Sequence, residues 1–144
     1  MRRFVRMLGI GAVVFLVLAQ FVRIDRTNPP VESDMPAPAE VKAALRAACY
    51  DCHSNETIWP WYSRVAPASW LLKYDVNEGR EELNLSTWQR YDPRQQQKKL
   101  KETVETLNSG EMPPWYYAIM HPDARLADQD RRAIVAWASH GTAD

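Results

Sequence analysis

The chain has 144 residues, of which 46% are hydrophobic and 25% charged, and its 18 basic and 18 acidic side chains balance. This composition is typical of one globular domain with an accessory segment and excludes a disordered chain or two full domains. Residues 1–24 carry four arginines and no acidic residue, which leaves 14 basic and 18 acidic side chains, a net charge of −4, in residues 25–144. A nucleic-acid-binding role is therefore disfavoured, because no strong cationic field is left to neutralise phosphates.

The N-terminal segment, residues 1–23, combines positive charge with an apolar run. Three arginines precede the run Met7–Val22, and Arg23 closes it. A helix of this length spans about 24 Å, slightly less than the ~30 Å hydrocarbon core of a bilayer. The basic flank predicts that this end stays in the cytoplasm. We therefore expect a single-pass transmembrane signal anchor in a bacterial inner membrane, with the rest of the chain facing the periplasm.

A cleaved signal peptide is the alternative for the same segment. Val17-Leu18-Ala19 resembles the small-x-small pattern at which signal peptides are cut. The anchor is favoured because the apolar run continues to Val22, beyond that pattern. Both alternatives export the rest of the chain.

A linker and a first helix follow this segment. Residues 24–38 contain four prolines and predict a partly polyproline-like linker that holds the next domain away from the membrane. A helix is expected from Ala39, because apolar residues such as Val41 and Leu45 recur at helical spacing. This apolar stripe leads directly into Cys49.

The stretch Cys49-Tyr50-Asp51-Cys52-His53 contains the only two cysteines of the chain. The pattern C-x-x-C-H is typical of covalent attachment of a c-type haem. Two thiols add across the two vinyl groups of the porphyrin, and the histidine becomes the proximal ligand of the iron. In a helix these three side chains share one face, at positions i, i+3 and i+4. We therefore predict one covalently bound haem c, held by Cys49, Cys52 and His53, and attachment outside the cytoplasm agrees with export of the chain.

Residues 54–68 predict an ordered loop that is rich in aromatic side chains. Trp59, Trp61 and Tyr62 fall in this loop, among helix-breaking residues. One interpretation is core packing. The other is a wall of the haem pocket, in which Trp59 and Trp61 bind the cofactor by donating their indole N–H groups to the propionates. Both can hold, because a haem is a large part of the core in so small a domain.

Three further helices are predicted, so that residues 39–144 form an all-α haem-binding domain with about four helices. The first of the three covers Ser69–Arg80 and the last covers Leu126–His140, with Gly141 as its stop. No alternating pattern of a β-strand and no glycine-rich phosphate loop is found in the sequence.

The helix between those two has the clearest boundaries. Asp92 is a capping residue, Pro93 suits the first helical position, and Gln95 can reach back to the cap. Gly110 is expected to end the helix. Lys99 and its lysine neighbours are expected on the solvated outer side.

The position on the iron opposite the histidine needs a second axial ligand. Met112 is the preferred candidate, because it follows a helix-ending glycine and precedes two prolines that stiffen the loop. His121 is the rival, and bis-histidine ligation would give a lower reduction potential than His/Met ligation. Met120 and His140 are weaker candidates, and Met35 is set aside because it falls in the linker.

The order of these features resembles class I cytochromes c: a helix with C-x-x-C-H, a middle helical region, a Met-Pro loop and a terminal helix. Several blocks more narrowly resemble the bacterial haem-binding domain family. The blocks are Cys52-His53-Ser54-Asn55-Glu56-Thr57, Trp59-Pro60-Trp61-Tyr62, Ala66-Pro67, Asp75-Val76, Glu78-Gly79-Arg80 and Gly110-Glu111-Met112-Pro113-Pro114. The resemblance covers about residues 35–140. It implies an exported, usually membrane-anchored, cytochrome c-like protein with covalent haem.

Two functional hypotheses follow. The first is a membrane-tethered mono-haem c-type cytochrome, not an enzyme, that carries single electrons between redox partner proteins of the cell envelope. The second is a haem sensor or peroxidase-like enzyme in which the sixth iron position is open or labile. A thioredoxin-like pair of cysteines is disfavoured because the chain lacks a βαβ pattern, and a zinc site because a fourth ligand is not evident.

Overall fold

The predicted helical periodicity is realised as helices, and the computed structural model describes residues 1–140. Within these residues the all-α class is confirmed, because no β-strand occurs. Three short 3-10 turns interrupt the connections, at Trp61–Arg64, Trp88–Arg90 and Pro122–Ala124. The α-helices are α1 (Arg2–Ala19), α2 (Ala39–Ala48), α3 (Tyr50–His53), α4 (Ala68–Glu82), α5 (Pro93–Ser109), α6 (Trp115–Met120) and α7 (Asp128–His140).

α1 contains most of the N-terminal apolar run, and its large hydrophobic side chains are exposed. Arginines occupy its first turns, and it ends at Ala19 instead of continuing to Val22, so its apolar stretch is shorter than the predicted run. Of the helices formed by residues 1–140, none is both long and apolar enough to cross a membrane.

Residues 24–38 lie along the helical domain, whereas the sequence predicted a spacer. The backbone N–H groups of Glu32 and Ser33 donate to the carbonyl of Ser86, and that of Met35 donates to Leu85 at 3.2 Å. The side chain of Met35 is buried among the hydrophobic residues of the core. The prolines of this segment are compatible with the contact, because an extended chain can pack against a domain as well as span a gap.

The helix that was predicted to run from Ala39 into the haem motif is divided in two, because α2 ends at Ala48 and the motif begins a new turn. Cys49 separates α2 from α3 with φ −123° and ψ −35°. The N–H of His53 donates to the carbonyl of Cys49 at 2.8 Å, which closes the new turn. Below this break, Asp34 accepts hydrogen bonds from Tyr50 at 2.5 Å and Lys42 at 2.6 Å, which tie the motif to the preceding segment.

The boundaries of α5 agree with the sequence. Asp92 accepts a hydrogen bond from the N–H of Gln95, the side chain of Gln95 accepts one from the N–H of Asp92, and Pro93 is the first helical residue. Gly110 ends the helix in a left-handed conformation with φ 76°. Only glycine adopts that conformation without strain.

The core forms where α2, α5 and α7 pack together. Ile134 and Ala138 of α7 are fully buried, and Leu100 and Leu107 of α5 meet them in the same cluster. α7 begins at Asp128, two residues later than predicted, and Gly141 lies outside the described residues. α6 (Trp115–Met120) lies within residues 111–125, which the sequence predicts as a loop.

Leu85→Ala should lower the free energy of unfolding by about 3 kcal/mol, because it removes buried apolar atoms and leaves a cavity. Leu85 has 0% of its surface exposed, whereas Leu71 has 50% exposed. Leu71→Ala is therefore the matched control and should change stability by less than about 1 kcal/mol. Chemical denaturation followed by circular dichroism measures both, and equal losses would contradict the burial argument.

Candidate haem site

A largely apolar cavity of about 260 Å³ opens beside the haem motif. The end of α2, the α3 turn, the chain after α4, one face of α5 and the Met112 loop enclose it. Its apolar lining consists of Met35, Leu45, Ala48, Leu83, Leu85, Leu107 and Pro113. Cys49, His53 and Met112 line the same cavity.

His53 is held by backbone carbonyl groups of the neighbouring helix. Its Nδ1 lies 2.7 Å from the carbonyl oxygen of Gly79 and 3.1 Å from that of Leu83. Carbonyl oxygens only accept, so Nδ1 carries the proton and Nε2 keeps its lone pair. Burial lowers the pKa of His53 below its ordinary value, against the opposing effect of these two hydrogen bonds. The neutral ring with a free Nε2 is the form that binds a metal.

The approach of α4 to the motif requires a glycine at position 79. A Cβ at this position would lie 2.7 Å from the carbonyl oxygen of Cys52 and 3.0 Å from its carbonyl carbon. Arg80, the next residue, donates to the carbonyl of Ser54 at 2.8 Å and to the hydroxyl of Thr57 at 2.9 Å. α4 is thereby joined to both sides of His53.

The two cysteines are free thiols that differ in their surroundings. Cys49 lines the cavity, and burial raises the pKa of its thiol to about 12. Cys52 is not among the lining residues. Its pKa is also raised to about 12, first by burial and then by the negative charges of Asp75 and Asp51. Of the three motif residues that were predicted to share one helical face, Cys49 and His53 line this cavity.

Two methionines line the cavity: Met112, which is the preferred candidate ligand, and Met35, which had been set aside as part of the linker. The N–H of Met112 lies 3.3 Å from the carbonyl of Thr106, which holds the loop against the end of α5. Met35 lies deeper and belongs to the hydrophobic core. The buried position of Met35 was not predicted, because the prolines around it are typical of a free linker.

Lys99, predicted to lie on the solvated side of α5, lines the cavity instead. Its side chain is mostly buried, and its Nζ lies 3.8 Å from Glu102 and 3.9 Å from Glu82. These three charged groups form a polar edge on an otherwise apolar opening. An ammonium group at such an edge can pair with an anionic group of a bound molecule, such as a carboxylate.

The structure does not bring Trp59 and Trp61 to this cavity. Trp61 is 73% exposed. The indole Nε1 of Trp59 is buried without a hydrogen-bond partner among the described residues, and Lys73 Nζ lies 5.9 Å from the centre of its ring. The haem-wall interpretation therefore receives no support from these positions, because the loop after His53 leads away from the cavity.

The other candidate axial ligands also lie away from the cavity. His121 is stacked on Tyr117 with ring centres 4.1 Å apart, and its Nε2 lies 2.5 Å from the hydroxyl of Tyr62. Met120 is 52% exposed, and His140 is exposed at the end of α7. Of the four candidates, Met112 alone lines the cavity that contains His53.

Asp51 links the motif to the aromatic side of the domain. One carboxylate oxygen accepts a hydrogen bond from Tyr117 at 2.6 Å, and the other accepts from the N–H of Ile58 at 2.9 Å. One of the two residues between the cysteines thus positions α6 and the start of the aromatic loop.

Comparison with known proteins shows the family of this chain. Residues 14–140 match the haem-binding domain family. The chain belongs to that family. Cytochrome c peroxidase Ccp of Escherichia coli (strain K12) is 26% identical over 135 residues, which cover 88% of this chain and 29% of that protein. This member of the haem-binding domain family therefore spans less than a third of the length of that curated relative. No solved structure matches the chain significantly.

The residues at the cavity suit a haem. The lining is apolar, as a porphyrin requires, and one imidazole has its Nδ1 proton engaged and its Nε2 free. Cys49 and Lys99 also line the cavity and supply a thiol and an ammonium group. Haem binding, established by family membership, thus has a structural basis in these residues.

Gly79→Ala should destabilise the protein by about 1–3 kcal/mol, because the new methyl group meets the backbone of Cys52 and overpacks the contact. In an exposed helical position the same change would stabilise by up to about 1 kcal/mol. The position also carries the carbonyl that orients His53, so we expect a weaker iron–histidine bond in the haem-loaded variant.

Asn77→Ala, on the exposed side of the same helix, is the matched control. Thermal unfolding and the resonance Raman iron–histidine stretch of the ferrous protein measure the two effects. A Gly79→Ala variant that is as stable as the parent would contradict the close contact.

Proposed function

We propose that this chain is a mono-haem c-type cytochrome that carries single electrons. In this proposal the haem is joined covalently to Cys49 and Cys52, and His53 and Met112 are the axial ligands. The observation that carries the proposal is that His53, with Nδ1 engaged and Nε2 free, shares one apolar cavity with Met112. The haem iron supplies the chemistry by alternating between its ferric and ferrous states as one electron arrives and leaves.

The role of His53 follows from its hydrogen bonds. Donation from Nδ1 to the Gly79 and Leu83 carbonyls restrains rotation of the ring and makes Nε2 a better donor to iron. Both carbonyls belong to the backbone around the end of α4, so the ring orientation depends on a rigid element and not on a mobile side chain.

The role of Met112 follows from the stiffness of its loop. A thioether is a weak ligand that competes with water, so it must be held in position. Gly110 ends α5 sharply, and the N–H of Met112 remains bonded to that helix. A Met ligand gives a higher reduction potential than a second histidine, and the surrounding leucines exclude water.

Attachment at Cys49 is supported by its position on the cavity wall. Attachment at Cys52 rests on the C-x-x-C-H spacing, which matches the two vinyl groups of a porphyrin. The raised pKa values of both thiols mean that they are protonated in the folded chain at neutral pH.

Cys49→Ala combined with Cys52→Ala should make the haem extractable with acidified acetone, because no thioether bond would hold it. The parent protein, expressed with haem-maturation machinery, should retain its haem and give a pyridine haemochrome with two saturated vinyl groups. Each single variant should show one saturated vinyl group. Haem that is extractable from the parent would refute covalent attachment.

Met112→Ala should convert a low-spin, six-coordinate ferric haem into one that binds water and exogenous ligands. Met120→Ala is the matched control, because it removes the same side chain from an exposed position outside the cavity. Met35→Leu tests the second methionine of the cavity, and His121→Ala tests the earlier rival.

Absorption and magnetic circular dichroism spectra measure the spin state in each variant. We expect only Met112→Ala to change it. Loss of the low-spin state in Met35→Leu or in His121→Ala, with Met112→Ala unchanged, would assign the sixth position to that residue instead.

A peroxidase-like activity is the second candidate function. It is favoured by the similarity to the cytochrome c peroxidase of Escherichia coli. An enzyme of this kind needs an accessible sixth position on the iron, whereas an electron carrier keeps that position filled. A high-spin ferric spectrum in the parent protein, with rapid reaction with hydrogen peroxide, would favour this second function.

We further propose that the chain acts outside the cytoplasm, next to a membrane, with redox proteins of the cell envelope as partners. The basic and apolar N-terminal sequence supports export. α1 supports the membrane association, because its exposed apolar side chains need a non-aqueous partner.

A further inference from the structure

A second pocket, of about 250 Å³, lies where α1 meets the domain, away from the haem cavity. The chain after α1, the turn Trp61–Arg64 and the first turn of α4 surround it. In contrast to the haem cavity, its lining residues include three arginines and two serines. These residues are Arg23, Arg26, Arg64, Ser63 and Ser69.

The arginines of this pocket form no close ion pair within the described residues, although Asp25 and Arg26 attract each other at longer range. Within residues 1–140, no carboxylate forms an ion pair with Arg23, Arg26 or Arg64. Asp25 is the nearest acidic residue in sequence, but its two carboxylate oxygens accept hydrogen bonds from the N–H and the hydroxyl of Thr27. An anion in the pocket would therefore meet guanidinium groups that have no carboxylate partner.

A buried hydroxyl group at the same place also lacks a partner. Ser63 is only 1% exposed and lines the pocket, and its Oγ makes no hydrogen bond within the described part of the chain. Such a group costs stability unless a ligand or water satisfies it. Arg26 donates to the backbone carbonyl of Ser63 at 3.2 Å, which keeps its guanidinium beside that hydroxyl.

One structural feature adds to the preference for an anion, and another holds the wall of the pocket in place. Ser69 is the second residue of α4, so the positive end of the helix dipole lies at the pocket. Gln20 exchanges two hydrogen bonds with the backbone of Ala66, at 3.0 and 3.1 Å. This pair holds the end of α1 against the pocket wall.

We propose that this pocket binds a phosphate group, and that the phosphate belongs to a lipid headgroup. Guanidinium groups bind phosphate oxygens with paired, charge-assisted hydrogen bonds, and a tetrahedral phosphate has enough oxygens to engage several donors. The lipid source follows from position, because the pocket lies at the end of a helix whose apolar side chains are exposed. The site does not depend on the redox role of the haem.

Titration calorimetry on the haem-loaded full chain, in a sugar-based detergent, tests the proposal. The probes are dihexanoylphosphatidylglycerol, inorganic phosphate and a short-chain alkyl glucoside without phosphate. We expect the phospholipid to bind more tightly than inorganic phosphate and the glucoside not to bind. Equal affinity for the two phosphate probes would overturn the lipid source, and no binding of either would overturn the site.

Variants test whether these residues are responsible. Arg26→Gln with Arg64→Gln should weaken phospholipid binding about tenfold or more, because two charged hydrogen-bond donors are lost. Ser63→Ala should weaken it severalfold, and this change is small enough to leave the fold intact. Arg94→Gln with Arg132→Gln removes the same charge from exposed positions and should have no effect. An equal loss in that control, or full binding by both Ser63→Ala and the double pocket variant, would overturn the proposal.

Discussion

The contact between Gly79 and the backbone of Cys52 is the constraint on which the haem site depends. Without a Cβ at position 79, α4 comes close enough for its carbonyl to accept the Nδ1 proton of His53. The same carbonyl also accepts from the N–H of Leu83 at 2.9 Å, where α4 ends. One small residue thus sets the distance between two helices, the orientation of the imidazole and the start of the chain that lines the cavity.

The rest of the domain stabilises this contact from both sides. Arg80 ties α4 to the loop after His53, and Asn55 and Asn84 join that loop to the chain after α4 at 2.9 Å. The segment before α2 then covers the outer side, because Ser33 and Met35 pair with residues that follow α4. The haem motif therefore lies between elements that are distant in sequence, and its own short helix need not be stable alone.

Local signals in the sequence predicted much of this structure. The C-x-x-C-H spacing, the Asp92 capping box and the Gly110 stop each depend on residues within one or two turns, so their chemistry could be read directly. The all-α class followed from apolar periodicity. Predictions that needed long-range packing were less accurate. Met35 was taken for part of a spacer, because nothing near it reveals the hydrophobic surface of Leu45 and Leu85 against which it packs.

The positions of the aromatic residues depend on long-range contacts as well. Trp59 and Trp61 have the size and the donors that a haem pocket uses, but side-chain chemistry does not indicate direction. The Asp51 carboxylate accepts hydrogen bonds from the N–H of Ile58 and the hydroxyl of Tyr117, and these contacts hold the loop where neither indole lines the cavity. A sequence motif names the residues between its cysteines only as variable positions, so this role could not have been predicted.

The two sides of the motif differ in their polar character, and this difference bears on function. On the cavity side, His53, Cys49 and Met112 share a lining that is largely apolar. On the other side, burial and the hydrogen bond to Asp51 raise the pKa of Tyr117, and burial raises that of Tyr62, so both tyrosines keep their protons. His121 is engaged there with Tyr62 and Tyr117, and moving it to the iron would break the hydrogen bond and the stack together. Methionine ligation requires no such rearrangement, because Met112 already lines the cavity with His53.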